Sequence, residues 1–225
     1  MSRPHFWFYL FGPFLLGLAA TGELLRIRTW SIQEILVCGL VALFFLWPAN
    51  FFVYGINDLF DYETDRMNPK KQGYEQILQP SDRIPFLWIL ALALIPALLL
   101  FVFAPPLAAR ALALFLLLSV GYSAPPIRAK ARPFLDTVFN SLYVMPALVG
   151  YGLFTSHLPP ISLIGAGIVW CMAMHAYSAI PDQEVDRAAQ IETIATVLGT
   201  KRTLWWCVVC FVMAAALTIP WLGFF

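Results

Sequence analysis

The chain has 225 residues, of which 60% are hydrophobic and 12% are charged, and its mean hydropathy is +0.76. This composition excludes an ordinary soluble domain, because such a domain could not bury so much apolar surface. The formal net charge of +1 shows no basic excess, so the charge balance gives no indication of a nucleic-acid partner.

Seven apolar runs are long enough to cross a bilayer, which takes roughly 17–25 residues for about 30 Å of hydrocarbon. A turn is predicted at Ala104-Pro105-Pro106, between the third run and the fourth. The expected fold is therefore all-α, a polytopic transmembrane helical bundle that forms a single domain over residues 1–225. In chain order the runs cover about 6–22, 32–56, 85–103, 107–123, 134–153, 161–181 and 203–224.

The distribution of Lys and Arg predicts the orientation of this bundle. If the N-terminus is cytoplasmic, all of the 14 Lys and Arg residues fall in cytoplasmic loops except Arg26, Arg28 and Arg110. Such an excess of positive charge marks the cytoplasmic side of a membrane protein. We therefore expect an integral, multi-pass protein of the lipid bilayer with its N-terminus in the cytoplasm.

Two clusters of polar and acidic residues stand at predicted cytoplasmic ends of apolar runs. Carboxylates are costly near hydrocarbon, so they rarely occur there without a cation, a substrate or a water-filled cavity. Helical spacings of three and four residues place the aspartates of each cluster roughly on one face. That arrangement suits Mg²⁺, which takes one or two carboxylates and bridges to phosphate oxygens. The clusters are Asn57, Asp58, Asp61 and Asp65, and then Asp182 and Asp186.

A polar stripe runs along the apolar segment that precedes the first cluster. A stripe of this kind faces a cavity rather than lipid. His175 lies seven residues before Asp182 and so roughly on its face, which predicts a place for this histidine in the same cavity. The stripe consists of Asn50, Tyr54, Asn57 and Asp61.

A basic loop, 122–132, lies between the two clusters and begins Tyr-Ser-Ala-Pro-Pro. Its cations, which include Arg128 and Lys130, are typical of cytoplasmic anchoring, and that alternative stays open. A departing diphosphate also needs cations, because Lys or Arg neutralises its developing charge. Arg66 and Lys70 follow the first cluster and are placed for the same role.

These segments resemble the UbiA superfamily of intramembrane prenyltransferases. Residues 57–65 are similar to its first aspartate motif, and residues 182–186 are similar to its second. The Tyr122–Lys130 loop is similar to its tyrosine-then-lysine element, although the two residues lie farther apart here. Within the superfamily the lycopene elongases, which attach five-carbon prenyl units to a C40 carotenoid, are most similar. The segments that carry this narrower resemblance are 2–10, 68–71 and 133–136.

The resemblance implies a Mg²⁺ cofactor, an allylic prenyl diphosphate as donor, and a lipophilic acceptor within the membrane, such as lycopene. Asn57, Asp58 and the four catalytic aspartates Asp61, Asp65, Asp182 and Asp186 would hold the metal. The diphosphate would contact Arg66, Lys70, Tyr122 and either Arg128 or Lys130. Aromatic faces such as Tyr54, Tyr122 and Tyr177 would steady the allylic cation. The acceptor cavity would include Asn50, Tyr54, His175 and Tyr177.

Three alternatives follow from the same residues. The same chemistry could prenylate an aromatic quinone precursor or another lipid instead of a carotenoid. A cation transporter could also use intramembrane acids, although its charges would lie near the midplane of broken helices. A non-catalytic scaffold subunit would bind no magnesium-diphosphate. Family members usually have nine spans, so a chain with seven is expected to be a shortened member or an incomplete sequence.

Overall fold

The computed structural model describes residues 7–67 and 77–221, and within them it contains α-helices, short 3-10 helices and no strand. The predicted all-α class is therefore confirmed. The α-helices are α1 (Phe8–Ala19), α2 (Ile32–Leu46), α3 (Pro48–Phe60), α4 (Tyr62–Met67), α5 (Arg83–Ala93), α6 (Ile95–Phe103), α7 (Pro106–Ser123), α8 (Leu135–Phe139), α9 (Met145–Gly152), α10 (Ile161–Ala179), α11 (Gln183–Ala188) and α12 (Ile194–Thr218).

In the described part of the chain, five stretches of helix are long and apolar enough to cross a membrane. A sixth crossing arises if α1 and the following 3-10 helix Glu23–Thr29, which meet at 77°, together form one broken span. The expected count of seven spans stays a prediction. The five stretches are Ile32–Phe60, Pro80–Phe103, Pro106–Ser123, Ile161–Ala188 and Ile194–Trp221.

The run expected to span the membrane at 134–153 is instead broken into α8, a 3-10 helix over Asn140–Val144, and α9. Polar side chains explain the difference. Asp136, Thr137 and Ser141 are all buried, and the first two are 0% exposed. Buried polar groups need hydrogen-bond partners, so this segment packs as short pieces that bring those groups to their partners.

The chain forms two compact units, which are described separately. The first comprises Met1–Val120 and Met145–Leu158, and the second comprises Gly121–Val144 and Pro159–Phe225. The prediction of a single domain over residues 1–225 is not tested by this division and stays a prediction.

The first unit is held together by close packing of α1 on α9. A Cβ added at Gly17 would overlap the backbone of α9, and one added at Gly150 would overlap the backbone of α1. Small residues at such positions allow two helix backbones to approach closely, which is a common way of packing helices in membranes. Phe14, Phe45 and Phe115 fill the adjoining core, with ring centroids 5.5–5.9 Å apart and no exposure.

The second unit is built around α10, which packs along α12. The contact is made by small side chains, since Ala173 and Ala176 on α10 meet Cys207 and Cys210 on α12. The Cys207 thiol donates to the carbonyl of Ala173 at 3.4 Å. These cysteines are therefore small packing residues of a helix contact.

Candidate active site

The first aspartate motif lies where α3 ends. Asp61 follows Phe60 with non-helical torsion angles (φ −108°, ψ 10°), and α4 then begins at Tyr62. Asp58, Asp61 and Asp65 are all buried, with exposures of 3%, 7% and 5%. The Asp65 N–H donates to the carbonyl oxygen of Asp61 at 2.7 Å, so the break does not separate the two residues. Three carboxylates thus lie inside the protein, where their charge needs compensation.

Two arginine side chains pack over the ring of Tyr62, the residue that follows Asp61. The guanidinium carbon of Arg66 lies 5.6 Å from the Tyr62 ring centroid, and that of Arg83 lies 5.9 Å from it. The Tyr62 hydroxyl donates to the side-chain oxygen of Gln79 at 3.5 Å. Of these three residues, only Arg66 was predicted from the sequence, because only the fold brings Arg83 back to Tyr62. Lys70 lies outside the described residues.

Asn50, the first member of the predicted polar stripe, is only 1% exposed. Its side-chain amide donates to the carbonyl oxygen of Phe45 at 2.9 Å and approaches that of Leu46 at 3.4 Å. The helical path breaks at Trp47 (φ −134°, ψ −61°) and α3 begins at Pro48, so carbonyls at the end of α2 lack regular helical donors. Asn50 therefore braces the break between α2 and α3. Its predicted place in an acceptor cavity stays a prediction.

The other predicted cavity residues differ in their surroundings. Tyr54 is half-buried on α3, as is Asn57, which was predicted to hold the metal. Tyr177 is 58% exposed on α10, and this exposure does not match the enclosed position expected for a residue that steadies a cation.

An apolar cavity that the sequence did not predict lies in the first unit, between α3 and the segment that enters α5. Its volume is about 610 Å³, and Gln79 and Asp82 are its only polar lining residues among those that the structure describes. A cavity of this size and character suits an apolar ligand. The remaining lining residues are Phe51, Ile77, Leu78, Pro85, Phe86 and Ile89.

Two cationic residues of the basic loop, in the second unit, differ in their exposure to solvent. Lys130, in the 3-10 helix Ala129–Ala131, is only 9% exposed. Arg132 is exposed, and its Nη2 donates to the carbonyl of Pro126 at 2.8 Å, which closes the loop. An anchoring charge should reach solvent or headgroups, as Arg132 does. The burial of Lys130 favours a role inside the protein, while Tyr122 and Arg128 are half-buried beside it in sequence.

The second aspartate motif also lies in the second unit, on two short helices. Asp182 ends the 3-10 helix Ile180–Asp182, and Asp186 follows one turn later in α11. The side chain of Asp186 is hydrogen-bonded to that of Thr193. Thr193 in turn caps α12, because its hydroxyl oxygen accepts the N–H of Thr196 at 3.2 Å. The motif is therefore tied to the start of α12, which continues past a kink at Gly199 (φ 71°, ψ 165°).

A buried carboxylate that the sequence analysis did not assign to the site lies beside His175. Asp136 is 0% exposed; its Oδ1 accepts the Thr137 N–H at 2.9 Å, and its Oδ2 accepts the Ile194 N–H at 2.8 Å. The same Oδ2 lies 3.6 Å from Nε2 of His175, whose ring meets that of Tyr122 edge-on at 5.9 Å. An aspartate within a predicted apolar span was the signal that could have identified it.

Within residues 7–67 and 77–221, no group of three or more His, Cys, Asp and Glu side chains forms a ready-made metal site. Each motif nevertheless supplies carboxylate oxygens, the ligands that Mg²⁺ prefers, and Mg²⁺ keeps waters and substrate oxygens among its ligands. The residues present therefore fit Mg²⁺ bound together with a phosphate-containing ligand better than an ion held by protein alone.

Comparison with known proteins extends these observations. The profile of the UbiA prenyltransferase family matches residues 6–225. A lycopene elongase/hydratase from Haloarcula japonica is 40% identical over 220 residues, covering 96% of this chain and 71% of its own. One from Haloferax volcanii is 42% identical over 217 residues, covering 96% and 69%.

The fold is similar to that of a solved relative. A UbiA homologue from Archaeoglobus fulgidus bound to GPP and Mg²⁺ superposes with a TM-score of 0.76 at 21% identity, covering 96% of this chain and 74% of the homologue. The predicted integral, multi-pass membrane fold and prenyltransferase class are confirmed, and the transporter alternative finds no support. This chain belongs to the UbiA prenyltransferase family.

Proposed function

We propose that this protein transfers a prenyl group from an allylic diphosphate to a C40 carotenoid, such as lycopene, within the membrane. Two relatives with 40% and 42% identity are lycopene elongase/hydratases, which supports the acceptor. The Archaeoglobus fulgidus homologue binds GPP and Mg²⁺, which supports an allylic diphosphate donor and this metal.

The observation that carries the proposal is the burial of three carboxylates within one short segment. Asp58, Asp61 and Asp65 lie at and just beyond the end of α3, each less than 10% exposed. Buried carboxylates close together repel one another unless cations compensate their charge. These residues, with the amide oxygen of Asn57, would hold Mg²⁺ together with a diphosphate. Mg²⁺ neutralises diphosphate charge and so improves diphosphate as a leaving group.

The cationic side chains have the complementary task of binding the diphosphate. Lys130 is the strongest candidate, because this residue of the basic loop is only 9% exposed. Arg128 and Tyr122, in the same unit, assist Lys130 through charge-assisted hydrogen bonds to phosphate oxygens. In the first unit, Arg66 is the corresponding candidate beside the first aspartate motif. Such contacts strengthen as the leaving group gains charge, so they accelerate the bond-breaking step.

Asp182 and Asp186 are a second set of carboxylates that would bind Mg²⁺ and a diphosphate substrate. Their spacing of four residues, in consecutive short helices, places them about one turn apart. The link from Asp186 through Thr193 to the start of α12 holds this pair in position. In this way the start of α12 supports the second aspartate motif.

The cavity of about 610 Å³ supports an acceptor without a polar headgroup. Its walls are largely apolar, and it lies against α3, the helix that carries the first aspartate motif. A carotenoid needs apolar length rather than a donor or acceptor for a carboxylate or phenol. The excess of Lys and Arg in the loops that carry the motifs supports a site that opens toward the cytoplasm.

Transfer by the purified protein in lipid nanodiscs tests this function. We expect labelled dimethylallyl diphosphate, Mg²⁺ and lycopene to give prenylated carotenoid, EDTA to stop the reaction, and added Mg²⁺ to restore it. Glu192→Gln, a change at an exposed carboxylate outside this cavity, should leave the rate unchanged. Prenylation of 4-hydroxybenzoate but not lycopene would overturn the carotenoid acceptor, and no transfer to either would overturn prenyl transfer itself.

A further inference from the structure

The second unit holds a histidine against a carboxylate that is fixed at both oxygens. Oδ1 of Asp136 accepts the Thr137 N–H, and Oδ2 accepts the Ile194 N–H, at 2.9 Å and 2.8 Å. The side chain is 0% exposed, so water does not compete for these bonds. Asp136 therefore presents Oδ2 to Nε2 of His175, at 3.6 Å, from a position set by the backbone of α12.

The other ring nitrogen of His175 is left for a ligand. Nε2 faces Asp136 and the ring edge packs with Tyr122. Among the residues that the structure describes, Nδ1 has no hydrogen-bond partner, and the side chain is 14% exposed. A carboxylate at one nitrogen of a histidine stabilises the protonated ring and orients it, which makes the opposite nitrogen a proton acceptor.

The depth of His175 places this nitrogen on the hydrocarbon side of the second motif. His175 precedes Asp182 by seven residues, and a rise of about 1.5 Å per residue corresponds to roughly 10 Å along the helix. Asp136 accepts the N–H of Ile194, the residue that follows Thr193, and Thr193 is hydrogen-bonded to Asp186, so the pair and the motif are neighbours within this unit. A diphosphate at the aspartates would have its prenyl carbons on the side where His175 stands.

We propose that His175, oriented by Asp136, accepts the proton that ends the prenyl transfer; this inference rests on the proposed function. The allylic C–O bond breaks with its electron pair left on the diphosphate. The π electrons of an acceptor double bond form the new C–C bond and leave a tertiary cation on the acceptor. That cation must then be quenched, and either route of quenching releases one proton.

In the first route a neighbouring C–H bond breaks, its electron pair forms a new double bond, and the proton goes to Nδ1. In the second route a water oxygen bonds to the cation and one of the water protons goes to Nδ1. In both routes the charged imidazolium lies 3.6 Å from the Asp136 carboxylate, which stabilises it, and the proton later passes to bulk water. His175 is thus the catalytic residue and Asp136 its positioning residue.

His175→Gln tests this role, because glutamine keeps a donor toward Asp136 but cannot accept a proton. We expect the rate of carotenoid product formation to fall by about 10²-fold or more, the usual contribution of a general base. The KM for the allylic diphosphate should stay within threefold, since the histidine acts after binding. His157→Gln, at an exposed histidine, is the matched control and should retain the wild-type rate.

Imidazole rescue separates proton transfer from structural support. We expect added imidazole to restore product formation by His175→Ala at least tenfold, and to leave His157→Ala and the wild type unchanged. Asp136→Asn should lower the rate with an unchanged KM for the diphosphate. Two isotope experiments then identify the route. In H₂¹⁸O, the ¹⁸O label enters the product only if the cation is hydrated. With an acceptor deuterated beside the reacting carbon, an isotope effect on the rate appears only if a C–H bond is cleaved.

Two results would overturn the inference. Product formation by His175→Gln within threefold of wild type would remove the proton-transfer role. A parallel loss of diphosphate binding and product, without imidazole rescue, would make His175 part of the binding site instead. If instead the proposed function is wrong, the wild-type protein itself will form no prenylated product. That result would also overturn the role of His175.

Discussion

The Asp136 carboxylate accepts the backbone N–H of Ile194 at 2.8 Å, although 58 residues separate them in sequence. The bond joins α8 to the first turn of α12, where the backbone N–H groups have no helical partners. The short segment that replaces a predicted span is therefore anchored at its aspartate. The same carboxylate lies against His175, so the anchor also reaches the candidate site.

Replacing this anchor should destabilise the second unit. Asp136→Ala leaves the buried Ile194 N–H without its acceptor, whereas the Thr137 N–H keeps the Phe134 carbonyl oxygen at 3.2 Å. We expect this change to lower the free energy of unfolding by about 1–3 kcal/mol. Thermal unfolding of the protein in detergent measures the effect. Glu192→Gln, an exposed acid close to the same helix start, should have almost no effect. Equal melting temperatures for Asp136→Ala and Glu192→Gln would contradict the anchoring role.

The contact between α1 and α9 should tolerate no side chain at its glycines. A methyl group at Gly150 would overlap the Phe14 carbonyl, so Gly150→Ala should cost about 1–3 kcal/mol of stability. Gly12→Ala on α1 is the matched control, because a Cβ there meets no atom within 4 Å and alanine favours the helix. Thermal unfolding of the two variants should differ clearly, and a Gly150→Ala protein as stable as Gly12→Ala would refute close helix contact.

The two cations of the basic loop should respond differently to neutralisation. Lys130→Gln should raise the KM for the allylic diphosphate and lower kcat, because the leaving-group charge is felt in both ground and transition states. Arg132→Gln removes an exposed charge and should reduce correct insertion while the inserted fraction keeps normal kinetics. Values of KM and kcat normalised to the amount of inserted protein distinguish diphosphate binding from membrane anchoring. Wild-type KM and kcat for Lys130→Gln would show that this lysine only anchors the loop.

Asn50→Leu should affect stability rather than acceptor choice. The change removes the donor to the Phe45 carbonyl at the break between α2 and α3, with an expected loss of about 1–3 kcal/mol. The KM for the acceptor should stay the same in the folded fraction, because the amide nitrogen is engaged with backbone carbonyl oxygens. Melting temperature and acceptor kinetics measured on one preparation test this. A change in acceptor KM at an unchanged melting temperature would place Asn50 in the acceptor cavity instead.

Local sequence signals predicted the apolar helices well. The run at 161–181 corresponds to α10 (Ile161–Ala179), and the turn at Ala104-Pro105-Pro106 falls between the end of α6 and the start of α7. Hydrophobic runs and prolines act over a few residues, so they can be recognised without the fold. The break at Trp47 and Pro48 was missed, because an apolar run of suitable length continues on both sides of that proline.

Long-range partners could not be predicted from the same signals. The spacing predicted Asp58, Asp61 and Asp65 roughly on one face of a helix, whereas in the structure the helix breaks at Asp61, so that Asp58 lies in α3 and Asp65 in α4. Their burial depends on packing that no local pattern encodes. The partners of Asp136 are similarly remote, and so is the approach of Arg83 to Tyr62. Such contacts depend on the path of the chain, which residue spacing alone does not determine.

The most direct test of prenyl transfer to a carotenoid is mass spectrometry of pigments from bacteria that make lycopene and express this chain. The proposed function predicts C45 and C50 carotenoids with the wild type, and only C40 pigment with the equally inserted Asp61→Asn, because that change removes a buried carboxylate of the first motif. Accumulation of C40 pigment alone with the inserted wild type, or C45 and C50 products from Asp61→Asn at the wild-type level, would contradict it.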